Sequence, residues 1–150
     1  MASLKNINLQ FRKCTYYGIT GEVGSGKSGL LGAILGEIPY YSGVIAVGGS
    51  ISYVEQEPII FSMNVRDNIL FGKAFDQKMY DYVLHASCLE SDLEILDAGD
   101  QTMVGEKGIT LSGGQKARLA LARALYADAD IYIFDDPISA VDAKVARQIN

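Results

Sequence analysis

Gly21-Glu22-Val23-Gly24-Ser25-Gly26-Lys27-Ser28 is the stretch on which the rest of the chain turns, and it fits the pattern G-x-x-x-x-G-K-[ST]. The spacing has a chemical reason. Glycines at 21, 24 and 26 leave room for backbone N–H groups to turn inward on a polyphosphate. Lys27 reaches the β and γ phosphates as a point charge, and the Ser28 hydroxyl can join the shell of Mg²⁺. A helix starting at about Gly26 would aim its positive end at the anion.

The flanks supply the context that such a loop needs. Tyr16-Tyr17-Gly18-Ile19-Thr20 reads as a short strand before it, and Leu30, Leu31, Ile34 and Leu35 recur with helical period after it. Strand, loop and helix follow in the required order. A Gly-rich turn with a solvated lysine is the alternative reading, and the flanks disfavour it.

The 150 residues suffice for one hydrophobic core, so one domain is expected. With 49% apolar and 21% charged residues the chain is globular material rather than disordered. A net charge of -5 argues against a nucleic-acid partner. No run of eighteen apolar residues is present to span a membrane, and no apolar signal-peptide core follows Met1. Cys14 and Cys88 are too few and too distant for a disulfide framework, and a lone His85 argues against zinc chemistry. A reduced, cytosolic environment is expected.

Further strands are expected at Leu4 to Phe11 (an edge strand), Val44 to Val47, Ile51 to Val54 and Ile131 to Phe134. Pro39 to Gly43 and Pro137 to Asp142 read as turns, and a polar helix opens at Lys144. Gln56 sits just past a strand end, where its amide can reach Mg²⁺ or an attacking water; a plain surface glutamine is the alternative. Val65 to Phe71 forms a small apolar cluster. Asp76 is a candidate N-cap for a helix through Ser87 with Met79, Tyr82, Val83 and Ala86 on one face. The acidic residues from Asp92 to Asp100 read as a solvated loop.

Leu111-Ser112-Gly113-Gly114-Gln115 opens a helix that should run to about Tyr126. Leu119, Ala122 and Leu125 would face inward and Lys116, Arg118 and Arg123 outward. A serine and two glycines ahead of a helix make a second anion-binding start. A single phosphate loop does not need one, which points to a second nucleotide or a partner's nucleotide. Ile131-Tyr132-Ile133-Phe134 suits a buried parallel strand ending in Asp135-Asp136. Asp135 can orient Mg²⁺ opposite Ser28, and Asp136 can position the attacking water.

These motifs in this order, with Ser139-Ala140-Val141-Asp142 after them, resemble the nucleotide-binding domain of an ABC transporter. The finer likeness is to the first ATP-binding cassette of the multidrug-resistance-associated (C) subfamily. It rests on Ile34 to Glu37, Val65 to Gly72, Gly105 to Gly108 and Asp135-Asp136-Pro137. The resemblance implies an α/β fold: a P-loop NTPase-type three-layer core with a helical signature subdomain at about 73–126, incomplete at both ends of 1–150. It also implies ATP and Mg²⁺ as cofactors. Gly21, Glu22, Val23, Gly24, Ser25, Gly26, Lys27, Ser28 and Gly29 would hold this domain's own nucleotide. Ser112, Gly113, Gly114 and Gln115 would close over the ATP of a second nucleotide-binding domain in a head-to-tail sandwich. Ser28, Gln56 and Asp135 would attend the metal, and Lys27, Gln56 and Asp136 the reaction. Asp142 would lie at the dimer interface. The remaining partners would be the transmembrane domains of an exporter, which places the chain at the cytoplasmic face of a membrane; the subfamily suggests organic anions or drug conjugates as cargo.

Several residues depart from the family pattern. Asp136 stands where fully active members carry glutamate, one methylene longer, as is common in first domains of this subfamily; such sites bind ATP with little hydrolysis. A loss of about 3 kcal/mol of transition-state stabilisation lowers turnover roughly a hundredfold. Gly29 replaces a usual Ser or Thr, Glu22 a common proline and Ile59 an expected tryptophan. The adenine-stacking aromatic would precede the first strand and the switch histidine would follow Asn150; His85 precedes the signature and is not that residue. Two other readings stand beside the transporter: a non-catalytic fragment or regulatory module, and a soluble ABC-type ATPase of DNA repair or translation.

Overall fold

Two glycines in the left-handed region bracket the helix that follows the phosphate-loop motif. In the computed structural model, which describes residues 4–38 and 42–136, α1 runs from Lys27 to Leu35 between Gly26 (φ 99°) and Gly36 (φ 77°). A side chain at either position would be strained, so glycine lets the chain enter and leave the helix sharply. At the far end Gly36 N–H donates to Ala33 and Glu37 N–H to Gly32, closing the last turn. The start at Lys27 agrees with the sequence expectation.

The chain divides into two units, Met1–Gly48 and Gly49–Asn150. In the first, the strands expected at 4–11, 16–20 and 44–47 do not form. Ile7, Leu9, Phe11, Tyr16 and Val44 stay exposed. Alternation marks residues suited to a sheet but supplies no partner for their backbone groups. The amide of Arg12 donates instead to the Tyr17 hydroxyl at 2.9 Å, and Phe11 meets the Tyr17 ring edge-on. A local turn with Cys14 at φ 54° takes the place of a ladder.

In the second unit β1 (Ile51–Val54) and β2 (Ile131–Phe134) form a parallel pair, with Ile51 opposite Ile131 and Val54 opposite Phe134. Both strands were legible in the sequence. Their shared entrance is clamped: the Asp130 carboxylate accepts from the Ser50 amide and hydroxyl, each at 2.8 Å. Gly49, at φ 130°, makes room for this, since a Cβ there would stand 2.6 Å from that of Asp130.

Four helices lie between the strands in sequence: α2 (Val65–Leu70), α3 (Gln77–Ala86), α4 (Glu90–Glu94) and α5 (Gly113–Tyr126), with a 3₁₀ turn at Gly99–Gln101. Asn64 caps α2 and Asp76 caps α3, each side chain accepting from the amide three residues on. Val65, Ile69, Tyr80, Val83, Leu119 and Ala122 make the main core, while Val54, Ala120 and Ala124 join α5 to β1. The buried face of α3 carries Tyr80 and Val83, and Tyr82, expected inside, is 60% exposed. The reason lies in the partners of Tyr80, whose ring meets Tyr126 edge-on and whose hydroxyl donates to Asp100 at 2.9 Å.

Charge placement brings the largest corrections. Asp92 and Asp100, read as solvated, are paired with Arg118 and Arg66. Arg118 and Arg123, read as outward, are held among α2, α4 and the segment after β1. The turns at 39–43 and 137–142 fall wholly or partly on residues outside the described ones, as does the helix from Lys144.

Candidate nucleotide site

The phosphate-loop motif folds into a tight turn over which its lysine lies. Gly24 and Gly26 are left-handed (φ 80° and 99°), and Ser25 N–H donates to the Glu22 carbonyl at 3.1 Å. Lys27 curls back over the loop, its Nζ donating to the carbonyls of Gly21 at 2.7 Å and Glu22 at 2.9 Å. An ammonium has three donors; two orient it along the loop and the third remains for an anion. The turn is tight at its mouth, since a Cβ on Gly21 would come within 2.7 Å of the Ser25 hydroxyl. No side chain caps α1, so no side-chain oxygen competes for its first amides. Glu22, Val23 and Ser28 are exposed and Gly29 is half-buried. A glycine-rich turn with a cation held against it suits a polyphosphate.

The second cluster stands at the carboxyl end of the parallel strands. Because β1 and β2 run the same way in register, the residues leaving them, Gln56 on one side and Asp135-Asp136 on the other, share one end of the sheet. Asp135 continues the ladder through its amide, which donates to the Val54 carbonyl at 2.9 Å. Its carboxylate accepts a long hydrogen bond from the Tyr53 hydroxyl at 3.5 Å. Asp136 is exposed and turns into the left-handed region (φ 48°), which changes the chain direction at the strand end. Gln56, Glu55 and Glu57 are exposed. A hard divalent cation takes oxygen ligands, and the carboxylates of Asp135 and Asp136 and the side-chain amide of Gln56 are of that kind.

The third element is the start of α5. Ser112 Oγ accepts from the Gln115 amide at 3.3 Å, and Gln115 Oε1 accepts from the Ser112 amide at 2.9 Å. This reciprocal capping box fixes the backbone of Gly113 and Gly114, which carry no side chain that would shield their amides.

Sequence reasoning missed the residues that tie α5 and α2 to their neighbours. Arg123 donates to the Asn68 carbonyl and to the Ile59 carbonyl, both at 2.9 Å, and to Asn68 Oδ1 at 2.8 Å. Its guanidinium also lies 5.1 Å from the Phe61 ring and 5.4 Å from the Phe71 ring. Burial pushes its pKa down from the ordinary arginine value. Arg123 follows Leu119 by four residues and therefore shares its inward face; that spacing was the available signal. Arg66 is held above its ordinary value by the hydrogen bond to Asp100, opposed by its own desolvation. Burial alone would raise Asp100, but hydrogen bonds from Arg66, Tyr80 and Gln101 outweigh it and hold the carboxyl below the usual range. Burial, then the hydrogen bond to Asp100, pushes the Tyr80 hydroxyl upward.

The family described as "ABC transporter" matches residues 4–139. Among similar proteins are multidrug resistance protein mrp-7 of Caenorhabditis elegans, 54% identical over 98% of this chain, and ABC transporter C family member 3 of Arabidopsis thaliana, 56% identical over the same share. ATP-binding cassette sub-family C member 4 of Homo sapiens is 49% identical, again over 98% of the chain. The chain spans about a tenth of the length of these relatives, 10% of the first two and 11% of the third. A phosphate loop with its lysine in place, a parallel strand ending in acids and a match over nearly the whole length converge: the chain belongs to the ABC transporter family and carries its P-loop NTPase-type nucleotide-binding domain.

Proposed function

We propose that this chain binds MgATP and, paired head to tail with a second nucleotide-binding domain, uses it to drive export through transmembrane domains at the cytoplasmic face of a membrane. The observation that carries the reading is the glycine-rich loop itself, with Gly24 and Gly26 left-handed and Lys27 held against it through the carbonyls of Gly21 and Glu22. Lys27 and the amides from Gly21 to Gly29 hold the β and γ phosphates. Ser28, Gln56 and Asp135 hold the Mg²⁺, which neutralises phosphate charge when bound. Ser112 to Gln115 approach the nucleotide of the second domain. Asp136 supplies the carboxylate nearest the attacking water, and its short reach makes hydrolysis slow. Likeness to C-subfamily proteins over the whole span supports this assignment over a soluble repair or translation ATPase.

Calorimetric titration of the chain with MgATP, beside Lys27→Ala, is the test. A charged hydrogen bond is worth about 1.5–3 kcal/mol, so the substitution is expected to weaken binding roughly ten- to a hundredfold. Equal affinity in the two chains would overturn the reading.

A further inference from the structure

The hydrogen bonds from α5 to α2, to the segments flanking it and to the sheet are concentrated in its last turns. Arg123 reaches Ile59 and Asn68, the Ala124 carbonyl accepts from Ser52, and the Tyr126 hydroxyl donates to Ala74 and accepts from the Asp76 amide. The working end of the helix, Ser112 to Gln115, is at the opposite terminus. Six residues after the Ser112 cap, and so about 9 Å along the axis, stands Arg118. Its Nε and Nη2 donate to the two oxygens of Asp92 at 2.6 and 2.9 Å. Both side chains are nearly buried, at 11% and 10% exposure.

We infer that Asp92 is a positioning residue for the Ser112–Gln115 turn, acting through Arg118. The inference rests on the proposed role of that turn toward a second domain's nucleotide. Asp92 is fixed at the centre of α4, with its amide donating to the Leu89 carbonyl. A bidentate carboxylate–guanidinium pair fixes orientation as well as distance, which a single hydrogen bond or apolar contact does not. With both side chains this little exposed, little water is at hand to replace the pair if its geometry slips. The pair therefore sets the direction in which the first turn of α5 leaves the core. Gly113 and Gly114 contribute only backbone amides, and amides can be aimed only by aiming the helix.

Asp92→Asn keeps the shape and removes the charge; Asp92→Glu restores a carboxylate. Amide exchange of residues 112–116 is expected to quicken roughly tenfold in Asp92→Asn and to recover in Asp92→Glu, with exchange at 120–126 unchanged. Self-association of the full chain in MgATP, read by sedimentation, is expected to weaken by about the same factor, with binding of MgATP by the single chain unaltered. Exchange that quickens equally along all of α5 would mean general destabilisation and would overturn the inference. Faster exchange at 112–116 with undiminished association would overturn it as well. A wild-type chain that stays monomeric in MgATP, while the exchange pattern appears as expected, would remove the sandwich reading and leave the positioning role intact. Where Asp92→Asn fails to fold, Arg118→Lys, which keeps the charge and loses the fork, is read by the same measurements.

Discussion

Asp136 differs from a glutamate by one methylene, and that difference sets an expected rate. Its backbone turns left-handed as β2 ends, so its carboxylate is carried on a short arm from a sharply redirected chain. Asp136→Glu lengthens the arm without changing charge. A recovery of about 3 kcal/mol in the transition state corresponds to roughly a hundredfold faster hydrolysis, measurable as phosphate release under saturating MgATP. An unchanged rate in Asp136→Glu would show that the aspartate is not what limits turnover. Arg123 illustrates the opposite relation between residue and role. It is charged and lies in a helix with other cations, which suggests an outward position, yet it ties α5 to α2 through two hydrogen bonds to Asn68 and to the segment after β1 through one to Ile59. Its four-residue spacing from Leu119 was a better guide than its charge.

Among the elements, the contact between α2, α3 and the 3₁₀ turn at Gly99–Gln101 carries a pH signature. Arg66 on α2 and Tyr80 on α3 both bond to Asp100, at 2.7 and 2.9 Å. The Asp100 carboxyl lies below its ordinary value in the folded chain, so its contribution is complete above the unfolded value of about 4 and is lost as pH falls through the folded one. Tyr80 lies above its ordinary value, so its contribution is complete below about pH 10 and is lost as pH rises from there. Urea unfolding midpoints are therefore expected to decline on both sides of a broad plateau. In Asp100→Asn the acid decline should flatten and the plateau should drop. An acid limb unchanged in Asp100→Asn would show that other carboxyls control it. The acidic run from Asp92 to Asp100 read as solvated because composition cannot reveal that Arg66 and Arg118, on separate helices, fold onto two of its members.

For the whole molecule, burial is unevenly distributed. The two core clusters lie within residues 54–126, and none of the described residues before Gly49 is fully buried. Amides of α5 and of the β1–β2 pair are expected to exchange slowest, and those of residues 4–20 and 42–48 fastest. Adding MgATP should slow exchange in residues 21–30, because a bound phosphate occupies the donors of the loop and the first turn of α1. Mass-resolved exchange with and without nucleotide reads both effects together. Absence of nucleotide protection at 21–30, with protection elsewhere, would relocate the site.

Much of the local structure around the candidate site is legible in the sequence. Glycines at 21, 24 and 26 with Lys27 specify a loop by their own backbone preferences, Asp76 and Ser112 cap helices through side chains three residues from the amides they bind, and the short apolar run Ile131 to Phe134 suits a strand, although only Ile133 of it is buried and Tyr132 is exposed. Each of these is a local property, decided within about one turn of chain. Pairing is different. Whether Ile7, Leu9 and Val44 enter a sheet depends on a second strand arriving with matching backbone groups, and here only Ile51–Val54 and Ile131–Phe134 found each other among the described residues. Burial of charge is also a tertiary decision. Asp92 and Arg118 lie 26 residues apart, and no pattern within either segment indicates that they meet in the core. Local preference therefore determined the phosphate loop and the helix starts, while long-range packing decided which strands pair and which charges leave the solvent.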